Sequence, residues 1–182
     1  PGFSVDMLID ASSSRKQMQE QIAAQAYVLA ESLEECGIPA QIYSYCSIRG
    51  FTVMRIFKDY EEEQVGNELF GYVAAGNNRD GLALRAAGYL MEASKKAKRI
   101  LLVLTDANPM DDQNIGEGAF YTNKEYTDQP AIEDTAREVQ RLKQKGIKVI
   151  GIFMGSAKSR EAAREIFDRE LVQIQNINDF AG

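Results

Sequence analysis

The stretch Val5-Asp6-Met7-Leu8-Ile9-Asp10-Ala11-Ser12-Ser13-Ser14 decides the fold. Its first six residues form a short, nearly continuous apolar run, the pattern of a central parallel strand covered on both faces. After the polar loop the period changes. From Arg15 onward Met18, Ile22, Ala26, Leu29, Leu33 and Cys36 recur at spacings of three and four, and Gly37 with Pro39 supplies the stop. Strand, loop and long amphipathic helix follow one another in that order.

Working outward, Ile100 to Thr105 is a second unbroken apolar strand, closed by Asp106, and Lys148 to Met154 is a third, closed by Gly155. Gln41 to Ser47 and Phe51 to Phe57 are rich in Ile, Tyr, Val and Phe. The residues around Arg49-Gly50 between them are too few for a parallel crossover, so an antiparallel hairpin is expected. Asp59 to Gln64 is expected to open a short helix. A longer helix follows Asp80-Gly81 with Leu82, Ala86, Tyr89, Leu90 and Ala93 inward, and its basic end (Lys95, Lys96, Lys98, Arg99) suits the helix dipole. A third helix runs from about Pro130 to Lys145 with Ile132, Val139 and Leu142 inward, stopped by Gly146. Ser159 to Glu170 reads as a further helix, Leu171 to Ile174 as a short strand, and Asp179-Phe180 as the start of another helix. The fold class is therefore α/β: a Rossmann-like open, mostly parallel sheet with one antiparallel edge strand and helices on both faces.

A chain of 182 residues with this alternation reads as one domain spanning 1–182. It begins abruptly at Pro1-Gly2 and ends within an expected helix, as a domain excised from a longer protein would. Twenty-one Lys and Arg against twenty-seven Asp and Glu give a formal charge of −6, which repels phosphate backbones and anionic lipid surfaces; nucleic acid is not an expected partner. No apolar run approaches the roughly 18–20 residues needed to cross a bilayer, and the N-terminus lacks the basic and apolar character of a signal sequence, so no membrane insertion and a cytoplasmic location are expected. Cys36 and Cys46 lack CxxC spacing and sit in apolar patterns, which predicts buried reduced thiols. Histidine is absent, so His-based triads and His-bearing zinc sites are excluded.

In open α/β sheets ligands gather beyond the carboxyl ends of the strands. After the first strand comes Asp10-Ala11-Ser12-Ser13-Ser14, a DxSxS pattern; after the second central strand comes Thr105-Asp106-Ala107-Asn108-Pro109; and Asn77-Asn78-Arg79-Asp80-Gly81 stands at a helix start between them. Alone, DxSxS reads as a helix cap. Two carboxylates, two hydroxyls and an Asn or Asp converging on one loop face instead form a set of hard oxygen donors without imidazole or thiolate, which suits Mg²⁺ first, with Mn²⁺ or Ca²⁺ as related choices. The candidate metal ligands are Asp10, Ser12, Ser14, Asn78, Asp80 and Asp106.

These residues resemble the von Willebrand factor type A (vWA) domains, whose metal-ion-dependent adhesion site (MIDAS) uses a DxSxS loop, a Thr-bearing second loop and an Asp after the fourth strand. The resemblance covers essentially the whole chain. Asn78-x-Asp80-Gly81 with Thr105-Asp106-x-x-Pro109-x-Asp111-Asp112 looks most like the bacterial group of the cobaltochelatase accessory subunit and the nitric oxide reductase activation protein. What the resemblance implies is a Mg²⁺-dependent, non-catalytic protein-binding module, C-terminal in a longer chain and working with an AAA+ ATPase partner or its client complex. The sequence departs from the family in two places. Asn78 replaces the usual Thr, with Asp80 directly before Gly81, so either residue can supply the third contact; Ala107 stands where Gly is common.

If Ser12 and Ser14 bind the cation as neutral oxygens while Asp10 and Asp106 act through waters or hydrogen bonds, the ion keeps enough charge to accept an Asp or Glu from a partner. That argument favours Asn78 over the charged Asp80 for the direct contact. The alternative is a Mg²⁺-dependent phosphoryl-transfer or hydrolase domain using the Asp10/Asp106 pair. It lacks a P-loop, and Ser12 stands where aspartyl-phosphate hydrolases want an acid. A dinucleotide-binding reading fails for want of GxGxxG. The segment from Ala107 to Gln129 is long for a connection; Phe120, Tyr121 and Tyr126 are expected to supply contact area, and Asn108, Asp111, Asp112 and Asn114 polar groups, on or beside the metal-bearing face.

Overall fold

In the computed structural model, residues 2–62, 64–112, 116–117, 120–121 and 125–173 are described. The chain runs β1 (Phe3–Asp10), α1 (Gln19–Glu35), β2 (Ala40–Ile48), β3 (Phe51–Lys58), α2 (Asp80–Leu90), β4 (Lys98–Thr105), a two-residue pair β5 (Gly116–Glu117) and β6 (Phe120–Tyr121), α3 (Asp128–Gln144), β7 (Ile147–Phe153), α4 (Arg160–Phe167) and β8 (Leu171–Gln173). Six strands form one sheet in the order β3-β2-β1-β4-β7-β8. All neighbours pair in parallel except β3, which closes the edge as the antiparallel arm of the β2–β3 hairpin. Asp10 pairs with Tyr45, Ile9 with Leu104, and Thr105 with Phe153, so the exits of the central strands lie side by side.

The apolar runs form strands because their residues alternate between two covered faces. Leu8, Tyr43, Tyr45, Leu101, Val103 and Val149 pack on one side with Leu84 and Ala87 of α2, Val139 and Leu142 of α3, and Ile166 and Phe167 of α4. Met7, Ile9, Ile42, Leu104 and Ile152 pack on the other with Ile22, Ala26 and Ala30 of α1. Each fully buried Leu or Ile contributes about 1.5–3 kcal/mol relative to exposure, so the two layers carry the fold's stability.

Several local expectations shift. The turn Ser13–Met18 is 3₁₀, and α1 starts only at Gln19. Residues 59–62 form a turn, not a helix: the Asp59 carboxylate accepts the amides of Glu61 and Glu62, and the Glu62 carboxylate accepts the amide of Asp59. Helix α2 buries Ala83, Leu84, Ala87 and Gly88, while Leu82 and Tyr89 are exposed. Its sequence is apolar nearly all round and so has no single legible face; the small residues turn toward α3, where close approach is gained. Helix α4 stops at Phe167, because Asp168 takes a positive φ of 53°. Cys36 lies past the last turn of α1 and is exposed, and Cys46 is only half-buried; both are free thiols. The expected helix at Asp179-Phe180 falls outside the described residues, and among those described no helix is long and apolar enough to cross a membrane.

Candidate metal centre

Three loops meet at the carboxyl edge of the sheet. Asp10 ends β1, fully buried, and its Oδ1 accepts the amide of Ser12 at 2.8 Å, which folds the DxSxS loop back on its own first residue. The Ser12 and Ser14 hydroxyls share a hydrogen bond of 3.0 Å, and Ser14 Oγ donates to Asp106 Oδ2 at 2.8 Å. The residues between them brace the loop: Ser13 donates its amide and its hydroxyl to the Gly76 carbonyl, at 3.0 and 2.8 Å. Asp106 leaves β4 with Oδ1 accepting the Asn108 amide at 3.2 Å, across a turn in which Ala107 holds a left-handed φ of 52°.

The second loop enters beside them. The Asn78 backbone exchanges two hydrogen bonds with Met110, of 2.9 and 3.0 Å, and its side-chain Nδ2 donates to Asp80 Oδ1 at 3.1 Å. Tyr45, reaching up from β2, donates to the same Asp80 oxygen at 2.7 Å. At Gly81 a Cβ would lie 2.1 Å from Asp134 Oδ2 and displace that side chain from its bond with Tyr126, whose hydroxyl accepts the Gly81 amide at 3.1 Å. The structure thus links Ser12, Ser14 and Asp106 in one hydrogen-bond chain and Asn78 with Asp80 in another, and Asp80 lies near enough to Asp10 and Asp106 to feel their charges. Asn78 spends its amide nitrogen on Asp80, which leaves its carbonyl oxygen as the end suited to a cation.

The electrostatics follow from packing acids together in a dry place. Burial, then the negative charge of Asp106, pushes the Asp10 carboxyl up to about 7, against the pull of the Ser12 hydrogen bonds and Arg15. Burial, then the charge of Asp10, holds Asp80 well above the ordinary carboxylate range, against the Tyr45 hydrogen bond. Asp10 Oδ2 is buried and has no hydrogen-bond partner among the described residues. An ionised carboxylate oxygen left in that state costs several kcal/mol unless a positive group faces it, roughly. Among the described residues no group of three or more Asp, Glu, Cys or His forms a metal cage by itself. The donor set is mixed: two hydroxyls, an amide carbonyl and carboxylates. Hard oxygen donors around an orphaned acid have the chemistry that suits Mg²⁺, Mn²⁺ or Ca²⁺, and Ser12, Ser14 and Asn78 or Asp80 could hold such an ion, with Asp10 and Asp106 supporting them.

Sequence reasoning missed Arg15. It is 7% exposed, its Nη2 donates to Asp106 Oδ2 at 2.7 Å and its Nη1 to the Met154 carbonyl at 3.1 Å. The signal was its place directly after Ser14, which helical periodicity masked. Tyr126 is corrected as well: it is fully buried, donates to Asp134 Oδ2 at 3.1 Å and carries Arg79 over its ring, so it anchors the 107–129 segment instead of offering contact area. The described ends of that segment do border the site, through the Asn78–Met110 and Asp111–Tyr126 bridges and the Arg79–Asp111 ion pair. Asn114 and the Phe120 and Tyr121 side chains lie outside what is described.

Among solved structures, the vWF domain of the type V pili tip protein Mfa5 from Porphyromonas gingivalis matches with a TM-score of 0.65 over 98% of this chain and 92% of that one, at 11% identity. The fold is von Willebrand factor A-like. The pilus adhesin SpaC of Lactobacillus rhamnosus GG shares this vWA-like architecture at a TM-score of 0.67 and 15% identity, over 97% of this chain and 28% of that one. No family model matches. By sequence, the vWA-like chain is similar to an uncharacterized protein of Pseudomonas aeruginosa (27% identical over 138 residues, 73% of this chain) and to the uncharacterized protein YojO of Bacillus subtilis (22% over 166 residues, 86% of this chain). It spans 21% and 24% of the length of those relatives.

Proposed function

We propose that this chain is a Mg²⁺-dependent protein-interaction module whose MIDAS-like centre, made by Asp10, Ser12, Ser14, Asn78 or Asp80, and Asp106, takes an Asp or Glu from a partner. The observation that carries it is the buried, unpartnered Asp10 Oδ2 beside the Ser12–Ser14–Asp106 hydrogen-bond chain. When bound, a hard divalent ion supplies positive charge and a coordination position for the partner carboxylate. The chain's own residues do the rest. Ser12 and Ser14 present neutral oxygens, the Asp10 carboxylate holds the Ser12 amide, the Asp106 carboxylate orients the Ser14 hydroxyl, and Tyr45 restrains Asp80 by holding one of its oxygens. Mn²⁺ and Ca²⁺ satisfy the same donor chemistry.

The NxDG and TDxxPxDD patterns support a finer reading: a module of the cobaltochelatase-accessory and nitric oxide reductase activation type, cytoplasmic, acting with an AAA+ ATPase or its client complex in metal insertion or enzyme activation. Calorimetric titration of the chain with Mg²⁺ tests the centre, Asp10→Ala serving as the control, and EDTA-reversible capture of an AAA+ ATPase by the full-length protein tests the partner. Absence of Mg²⁺ binding by the parent sinks the reading. Turnover of a phosphate ester that requires Asp10 and Asp106 would put the hydrolase alternative in its place.

A further inference from the structure

Arg15 occupies a position that the metal reading leaves unused. Its guanidinium is buried beside the site's acids, held at two points, by Asp106 Oδ2 and by the Met154 carbonyl at the exit of β7. Asp106 Oδ2 also accepts Ser14 Oγ, and Asp106 Oδ1 accepts the Asn108 amide. Both oxygens of Asp106 are thus engaged by protein donors, whereas Asp10 keeps one buried oxygen without a partner among the described residues. The two acids named together from sequence are therefore not equivalent: one is neutralised from within, and one is left for an external cation.

We propose that Arg15 is a resident cation of this centre, a positioning residue that holds Asp106 back from direct metal contact and weakens the site's grip on the divalent ion. The inference rests on the metal reading and adds the charge accounting. Asp106 and Asp10 lie beside the guanidinium and Asp80 lies beside both acids, so three carboxylates share one arginine, and a divalent ion would bring their formal charges to balance. Without Arg15 the loaded centre would stay one charge negative and would repel the carboxylate it is meant to receive. Arg15 thereby trades metal affinity for attraction of the partner's acid, and it ties the β1 loop to the exits of β4 and β7 whether or not an ion is bound. An arginine suits this because its fork spans a carboxylate and a carbonyl at once and stays charged when buried.

The test reads Mg²⁺ affinity, where a structural role and a charge role have opposite signs. The parent chain, Arg15→Met and Arg15→Lys are titrated with Mg²⁺ by calorimetry and melted in EDTA and in Mg²⁺. The inference expects Arg15→Met to bind Mg²⁺ at least about tenfold more tightly than the parent, with a larger Mg²⁺-induced rise in Tm, and Arg15→Lys to stay within about threefold of the parent. A merely structural arginine predicts weaker binding on its loss, and equal or weaker Mg²⁺ affinity in a folded Arg15→Met overturns the proposal. If Arg15→Met does not fold in EDTA, Mg²⁺ at millimolar concentration should fold it, since the ion replaces the lost charge; failure to do so also overturns the proposal. A parent that binds Mg²⁺ alongside an Arg15→Met variant with unchanged affinity defeats this inference alone. Parent and variant both failing to bind defeat the metal reading with it.

Discussion

The Ser14 hydroxyl donates to Asp106 Oδ2 at 2.8 Å, joining the loop after β1 to the exit of β4 across 92 residues of chain. Ser14 itself is exposed, so its side chain serves the site more than the core. Ser14→Ala should weaken Mg²⁺ binding by about tenfold while changing stability by no more than about 0.5 kcal/mol, a split that calorimetry and urea unfolding in EDTA will read.

Tyr45 is a core residue and a site residue at once. Its ring packs beneath α2 and its hydroxyl satisfies buried Asp80 at 2.7 Å. Tyr45→Phe keeps the packing and removes the donor, so it should cost about 1–3 kcal/mol in urea unfolding and raise the Asp80 carboxyl further.

Within central strand β1, burial pushes the Asp6 carboxyl up to about 6, partly offset by hydrogen bonds from Tyr60 and Tyr43 and by the charge of Arg99. A carboxyl raised above its unfolded value binds its proton more tightly when folded. Its contribution to stability is therefore present at low pH and is lost as pH climbs from the ordinary carboxylate range through about 6. Thermal melts in EDTA should show Tm falling between about pH 4 and 6, and Asp6→Asn should reduce that fall; an unchanged slope in the variant would remove Asp6 as a cause.

The β2–β3 hairpin turns on Arg49 and Gly50 with φ values of 51° and 81°. Both central residues are left-handed, a conformation that glycine adopts freely and arginine only at a cost. Arg49→Asn should stabilise the domain by about 0.5–1 kcal/mol in denaturant unfolding, because Asn enters that region more readily and residue 49 is exposed. No change in midpoint would count against it.

Replacing residues 113–124 with a short Gly-Ser link leaves Met110, Asp111 and Tyr126 in place against the Asn78 loop. Partner capture should fall at least about tenfold while Mg²⁺ affinity stays within about threefold, as expected of groups that touch the partner and not the ion. Equal capture by the shortened chain would assign the segment no part in partner choice.

What the sequence determined by itself was whatever depends on neighbours along the chain. A strand covered on both faces reads as a near-continuous apolar run, so β1, β4 and β7 were legible, and the hairpin was legible because its link is too short for a crossover. The parallel sheet followed, and with it the rule that loops after these strands share one edge, which pointed to the Asp10–Ser14 and Asp106 loops, whereas Asn78 and Asp80 were candidates by their place at a helix start. Tertiary structure alone decided the rest. Which face α2 buries was set by the approach of α3 to its small residues, since an all-round apolar helix carries no directional signal. Arg15 reads locally as the polar start of a helix; only the order β2-β1-β4-β7 brings it against Asp106, 91 residues away, and the Met154 carbonyl, 139 away. Tyr45 and Tyr126 likewise reach Asp80 and Gly81 from 35 and 45 residues off. Periodicity measures burial along one element, whereas the charge balance of a site is a sum over groups that meet only when the sheet is assembled.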